Sequence, residues 1–146
     1  MNIKPPIAAT VLCLLYGCAS PTSHMINNNF IAIVKEPTPS KMIGSWSGTM
    51  GPYLATFQWK SDGSGIFCYS WSTYDLMQKL KYSKGEIQIQ DGTKLEIKSY
   101  SDSTMTVRAP YFMAQDTLLY KDNNLENASL FCGSKLKPKT ASLGSN

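Results

Sequence analysis

Between residues 42 and 121, polar and apolar side chains alternate along the chain with a period of two. The alternation is most regular in the runs 79–82, 86–90, 94–98 and 104–108. Because successive side chains of a β-strand point to opposite faces of a sheet, this pattern predicts strands with one face on a core and the other in water. After Lys121 the pattern stops.

Short turn signals, rich in Asp, Ser and Gly, separate these runs at residues 62–65, 84–85, 91–92 and 102–103. Asp91-Gly92 lies between two alternating runs, which is the strongest hairpin signal in the chain. The pattern and its turns together predict up to about eight short strands. We place these strands near residues 43–50, 54–61, 65–72, 77–83, 86–90, 94–99, 104–109 and 116–121.

The predicted fold class is all-β. Consecutive antiparallel hairpins form a small up-and-down barrel or a strongly curved meander of about eight short strands, because closure removes the exposed sheet edges. Side chains alone fill the interior of a barrel of this size, so a large ligand cavity is the less favoured outcome.

The first predicted strand opens with Ile43-Gly44-Ser45-Trp46-Ser47-Gly48. Its Gly-x-Trp triplet resembles the start of lipocalin-like and avidin-like barrels. In those families the tryptophan plugs one end of the barrel. The resemblance therefore implies that Trp46 is buried at one end of a closed barrel.

The N-terminal residues combine a lone basic residue, Lys4, with an apolar run over residues 7–16 and a small-residue exit. The run is too short to span a bilayer, and its order is typical of an export signal. The tetrapeptide Leu15-Tyr16-Gly17-Cys18 resembles the lipobox of bacterial lipoprotein precursors. In that family the cysteine thiol takes a diacylglycerol, the peptide bond before it is cut and the new amino terminus is acylated.

This resemblance implies a signal peptide over residues 1–17 and a membrane partner through lipid on Cys18. In Gram-negative members an aspartate after the cysteine favours inner-membrane retention, so Ala19 implies sorting to the outer membrane. We predict a lipidated N-terminus and flexible tether over residues 18–40 and a barrel-like domain over 41–134. The Lys-, Pro- and Ser-rich residues 135–146 are expected to form a disordered tail.

One apolar stretch, residues 30–34, interrupts the predicted tether. Pro37 follows closely, and proline within a sheet is confined to edges, so an extra edge strand docked on the domain is the favoured interpretation. A sticky patch on the membrane or on a partner is the alternative.

Four cysteines are present, of which Cys13 leaves with the signal peptide and Cys18 carries the lipid. Cys68 and Cys132 remain as a pair, and in an oxidising envelope such a pair most simply forms a disulfide. Two free buried thiols are the alternative.

Several kinds of chemistry lack the residues that they need. The net charge of +4 is too small and too dispersed to predict nucleic-acid binding. The only histidine, His24, lies in the tether, which leaves no base for a catalytic triad and no clustered ligands for zinc. We predict a protein that is not an enzyme and that has neither a metal nor a cofactor.

Aromatic side chains crowd into the first half of the predicted domain, on strands that the 62–65 turn joins, where cross-strand pairs can form. They either fill the core of a small barrel or form a binding site for a lipid, glycan or peptide. The candidates are Trp46, Phe57, Trp59, Phe67, Tyr69 and Trp71.

We expect an envelope lipoprotein whose domain is a binding module for an apolar or glycan ligand, an envelope protein or a cell-wall partner. A structural or assembly lipoprotein with a filled core is the alternative, and a cavity lined by Trp46, Trp59 and Trp71 would argue against it. Ser64-Gly65 resembles the Ser-Gly loop of small envelope lipoproteins that inhibit lysozyme, so inhibition of a cell-wall hydrolase is a further alternative. The same residues also suit an ordinary hairpin turn.

Overall fold

The computed structural model describes residues 28–138. The predicted signal peptide, Cys18, His24 and residues 139–146 of the predicted tail lie outside the described residues. Short 3-10 turns form at Phe30–Ala32 and Ser40–Met42, and a helix, α1, forms at Leu130–Leu136. The strands are β1 (Gly44–Met50), β2 (Tyr53–Trp59), β3 (Ser64–Trp71), β4 (Tyr74–Ser83), β5 (Glu86–Ile89), β6 (Lys94–Tyr100), β7 (Thr104–Arg108) and β8 (Asp116–Lys121).

These eight strands form a closed antiparallel barrel in which each strand pairs with its neighbours in the chain. The barrel closes where β8 pairs with β1, with Trp46 opposite Lys121 and Ser47 opposite Tyr120. This topology confirms the predicted all-β class and the up-and-down barrel. Each connection joins two strands that pair with each other, as expected for successive antiparallel hairpins.

The two ends of the barrel differ. The connections β1–β2, β3–β4, β5–β6 and β7–β8 lie at one end, which we call the open end. The opposite end, which we call the closed end, is covered by the chain before β1, including the buried Met42.

Trp46 lies in β1 near the closed end and is fully buried. Its indole Nε1 donates a hydrogen bond of 2.7 Å to the Met42 carbonyl. The Lys121 ammonium lies 4.3 Å from the centre of the indole and also donates to the carbonyls of Lys41 and Ile43. Burial lowers the pKa of Lys121. The predicted position of Trp46 is therefore confirmed.

The prediction of an edge strand at residues 30–34 is wrong. Phe30–Ala32 forms a 3-10 turn, and it is held by a lysine side chain instead of a sheet ladder. Lys81 Nζ donates to the carbonyls of Phe30 and Ile33, at 2.8 Å each, and of Ile31 at 3.3 Å. The closed barrel pairs every strand on both sides, so it offers no free edge to an added strand.

Residues 28–42, which we call the lead segment, run along the outer wall of the barrel from the open end to the closed end. Asn28 Nδ2 donates to the Gln90 carbonyl in the β5–β6 connection, at 2.9 Å. Further along, the Glu36 amide donates to the Tyr82 carbonyl at the end of β4, also at 2.9 Å. The described lead segment thus contacts the barrel along its whole length.

A disulfide joins Cys68 in β3 to Cys132 in α1, which confirms the predicted pair. Ser129 caps the helix, because its side chain accepts a hydrogen bond from the Cys132 amide at 3.1 Å. Cys68 faces outward from the barrel and forms a second apolar cluster with Cys132, Leu125 and Leu136. The alternation of polar and apolar residues predicted no helix here. Besides the disulfide and this small cluster, two hydrogen bonds hold α1 on the sheet, from Gln58 Nε2 to the Leu136 carbonyl at 3.4 Å and between the Ser70 and Ser129 hydroxyls at 2.6 Å.

Candidate functional site

The aromatic candidates divide between the core and the open end. Trp46, Phe57, Trp59 and Phe67 are buried in the barrel core. Tyr69 packs against that core and is half-buried, whereas Trp71 is 51% exposed at the end of β3. The tryptophans at positions 46 and 59 therefore lie in the packed core of the barrel, whereas Trp71 lies at its open end.

Above this filled half, the open end contains a pocket of about 200 Å³. Inward-facing side chains of five strands and residues of the β5–β6 connection line it: Met50, Tyr53, Phe67, Tyr69, Ile89, Asp91, Thr93 and Leu95. Phe67 and Tyr69 were among the sequence candidates. The aliphatic members were not, because an apolar residue in an alternating strand has the same pattern whether it lies in the core or in a pocket.

Two tyrosines in contact form one wall of the pocket. The Tyr53 and Tyr69 rings lie 4.8 Å apart, and the Trp71 ring meets Tyr53 edge-on at 5.8 Å. Burial raises the pKa of Tyr69, so its hydroxyl remains protonated at neutral pH. The wall can therefore offer aromatic surface and the neutral Tyr69 hydroxyl to an apolar or amphipathic group.

A groove of about 490 Å³ adjoins the pocket and shares Met50, Tyr53 and Leu95 with it. Its outer wall is the β7–β8 connection, residues 109–115, which we call the rim loop. The Arg108–Asp116 ion pair closes the base of the loop at 2.6 Å, and Met113 at its tip adopts a φ of 62°. The rim loop thus has an ion pair at its base and a residue with left-handed backbone conformation at its tip. Residues other than glycine rarely adopt that conformation.

Residues 27–136 match the family described as "Bacterial lipocalin LPS transport optimiser YedD". The chain belongs to the YedD family. The lipocalin-like resemblance inferred from Trp46 is therefore confirmed, and the lipobox at Cys18 remains a prediction. Neither a curated protein nor a solved structure matches the chain.

In this YedD-family barrel, the loop with the Ser-Gly pair is tied to the lead segment. The Lys35 ammonium pairs with the Asp62 carboxylate, and the Ser64 amide and hydroxyl also donate to it, at 3.0 and 2.6 Å. These hydrogen bonds lower the pKa of Asp62 well below its usual range. A Cβ on Gly63 would lie 1.9 Å from the Glu36 carbonyl oxygen, so the lead segment packs directly against the loop.

The open end also displays a set of exposed apolar side chains, which we call the apolar rim. It comprises two residues of the β3–β4 hairpin and three of the rim loop: Trp71, Tyr74, Tyr111, Phe112 and Met113. Within residues 28–138 no three His, Cys, Asp or Glu side chains are placed to hold a metal ion. No helix in the same range has the length and apolar character needed to cross a bilayer.

Proposed function

We propose that this chain is a membrane-anchored, non-catalytic lipoprotein of the outer membrane that supports LPS transport by binding an apolar group in the groove at its open end. The observation that carries the proposal is the groove itself, set above a filled barrel core. The description of its family supports the assignment to LPS transport.

The size of the two cavities limits what they hold. The groove, at about 490 Å³, falls in the range of about 300–1,000 Å³ that is usual for ligand sites. The pocket beneath it, at about 200 Å³, is smaller than that range. These volumes support binding of one apolar group at the mouth, either part of an acyl chain or a side chain of an envelope protein, and not enclosure of a whole lipid.

If the groove binds a ligand, a large side chain placed in it should impair LPS transport. Ala109, the first residue of the rim loop after β7, lines the groove and packs against the barrel core, so Ala109→Trp should occupy the space that a ligand needs. Thr106 lies three residues earlier, in β7, and faces outward between the buried Met105 and Val107, which makes Thr106→Trp the matched control. In cells that lack the wild-type protein, we expect Ala109→Trp to slow the appearance of new LPS at the cell surface as much as deletion does, and Thr106→Trp to restore it.

Both variants must first show wild-type abundance and a wild-type melting temperature. If Ala109→Trp then supports LPS transport as well as Thr106→Trp does, the groove is not the functional site. A structural or assembly role with a filled core would be the better account.

The proposed anchor predicts a loss of acylation in Cys18→Ala. Acyl chains hold a protein on a membrane with about 0.8 kcal/mol per buried methylene, so a protein without them should leave the membrane. We expect Cys18→Ala to lose fatty-acid labelling and to move from the membrane fraction to the soluble fraction. Cys13→Ala is the control, because it changes the other N-terminal cysteine and should be labelled normally. Labelling of Cys18→Ala at the wild-type level would contradict the proposed anchor.

A further inference from the structure

We infer that the barrel sits on the bilayer with its open end toward the lipid, so that the apolar rim enters the headgroup region. This inference rests on the proposed acylation of Cys18. It adds to the anchor an orientation of the barrel and a second contact with the membrane. The partner of the apolar rim in this inference is the lipid surface.

The first observation is the difference between the two ends. At the open end, Phe112 is 80% exposed and Met113 is 83% exposed, and three aromatic side chains accompany them. The closed-end connections, residues 60–63, 84–85 and 101–103, consist of Lys, Ser, Asp and Gly, and the aromatic side chains nearest to them, Tyr100 and Tyr120, are only 43% and 53% exposed. Apolar side chains exposed together at one end of a domain mark a contact surface.

The second observation is the chemistry of the rim. Neither the rim loop, residues 109–115, nor the β3–β4 turn, residues 71–74, carries a charged side chain. Entry of these segments into the headgroup region therefore requires no desolvation of an ionised side chain from either one. Trp71, Tyr74 and Tyr111 are of the types that concentrate at membrane interfaces, where an aromatic ring lies in an apolar layer and its polar atom remains in water.

The third observation is where the chain leaves the barrel. The lead segment begins beside the open end, since Asn28 donates to Gln90 in the β5–β6 connection. Lys81 and the backbone bond from Glu36 to Tyr82 hold the rest of the segment against the wall. The path from the domain to an acylated Cys18 therefore starts at the end that carries the apolar rim.

The length of that path supports the same orientation. Ten peptide steps separate Cys18 from Asn28, which is a reach of at most about 35 Å. A tether of this length keeps the open end near the bilayer at a high effective concentration, so that weak contacts by the rim become populated. With the closed end toward the lipid, the same tether would first have to pass back along the barrel wall.

Tryptophan fluorescence can test the orientation, because Trp46 and Trp59 are buried and Trp71 is exposed. The acylated mature protein with Trp71→Phe provides the background. Into it we place Phe112→Trp at the rim or, as the matched control, Ser103→Trp in the exposed closed-end connection. Each protein is reconstituted in phosphatidylethanolamine–phosphatidylglycerol vesicles with and without bromine on the acyl chains, and the background emission is subtracted.

We expect brominated lipid to reduce the emission of Phe112→Trp at least about twofold, since interfacial side chains lie within roughly 5–10 Å of the headgroup–acyl boundary. The emission of Ser103→Trp should be unchanged. In a Trp71-containing protein, the pair Phe112→Ser and Met113→Ser should reduce the quenching of Trp71. Circular dichroism of every variant reports whether the barrel is intact.

Quenching of Ser103→Trp without quenching of Phe112→Trp would overturn the orientation. Absence of quenching at both positions in an acylated, folded protein would overturn the membrane contact and leave a protein partner as the occupant of the rim. These vesicles contain neither LPS nor a second protein, so the result does not depend on the LPS-transport assay. If fatty-acid labelling shows no lipid on Cys18, the inference fails together with the anchor.

Discussion

Replacing Trp46 by alanine is expected to lower the free energy of unfolding by about 3–5 kcal/mol, the usual cost of truncating a fully buried tryptophan. The indole lies in the core without exposure to water, and its Nε1–H satisfies the Met42 carbonyl at 2.7 Å. The Lys121 ammonium above the ring would also lose its aromatic partner. Since small domains have a total stability of about 5–15 kcal/mol, the variant should be near or beyond the limit of folding.

Chemical denaturation of the mature protein measures this effect, and Trp71→Ala is the matched control. It removes the same side chain from a half-exposed position at the open end, where we expect a loss of below about 1 kcal/mol. Lys94→Ala, which removes no hydrogen bond among the described residues, should change the stability by only a few tenths of a kcal/mol, about the usual surface effect. Losses of similar size for Trp46→Ala and Trp71→Ala would contradict the role of Trp46 as the plug of the closed end.

Removing the disulfide with Cys68→Ala and Cys132→Ala together is expected to cost about 4 kcal/mol. The bridge spans 64 residues of sequence, and a loop of that length gives about this loss of entropy in the unfolded chain. The bridge also joins α1 to the outer face of β3, where a small apolar cluster and two side-chain hydrogen bonds otherwise hold the helix. Alanine, unlike serine, leaves no buried hydroxyl group at these positions, so the change in stability should reflect the loss of the disulfide.

Thermal unfolding with and without a reductant checks this prediction. The reductant should lower the melting temperature of the wild-type protein toward that of the double variant, and it should leave the double variant unchanged. A wild-type melting temperature in the double variant would show that the bridge adds nothing to stability. A second drop on reduction of the double variant would mean that the reductant acts elsewhere.

The strands could be predicted from the sequence because the information is local. Alternation with a period of two shows which residues share a face, and signals such as Asp91-Gly92 show where the chain reverses. Seven of the eight predicted strands begin within one residue of the observed start, and β4 begins at Tyr74 where residue 77 was expected. The burial of Trp46 and the Cys68–Cys132 disulfide could also be predicted from the sequence, because the Gly-x-Trp motif indicates the first and the count of cysteines indicates the second.

The site depended on distances between residues that are far apart in the chain. Trp71 shares a strand face with Phe67 and Tyr69, but it lies at the open end of β3 and is 51% exposed there. Residues 30–34 have the composition of a strand, yet Lys81 binds their carbonyls because the closed barrel has no edge to offer. The period of two predicts which face of a strand carries a side chain. Whether that face meets packed neighbours, a pocket or water depends on the position of the residue along the barrel axis and on closure of the barrel, and both are set by tertiary structure.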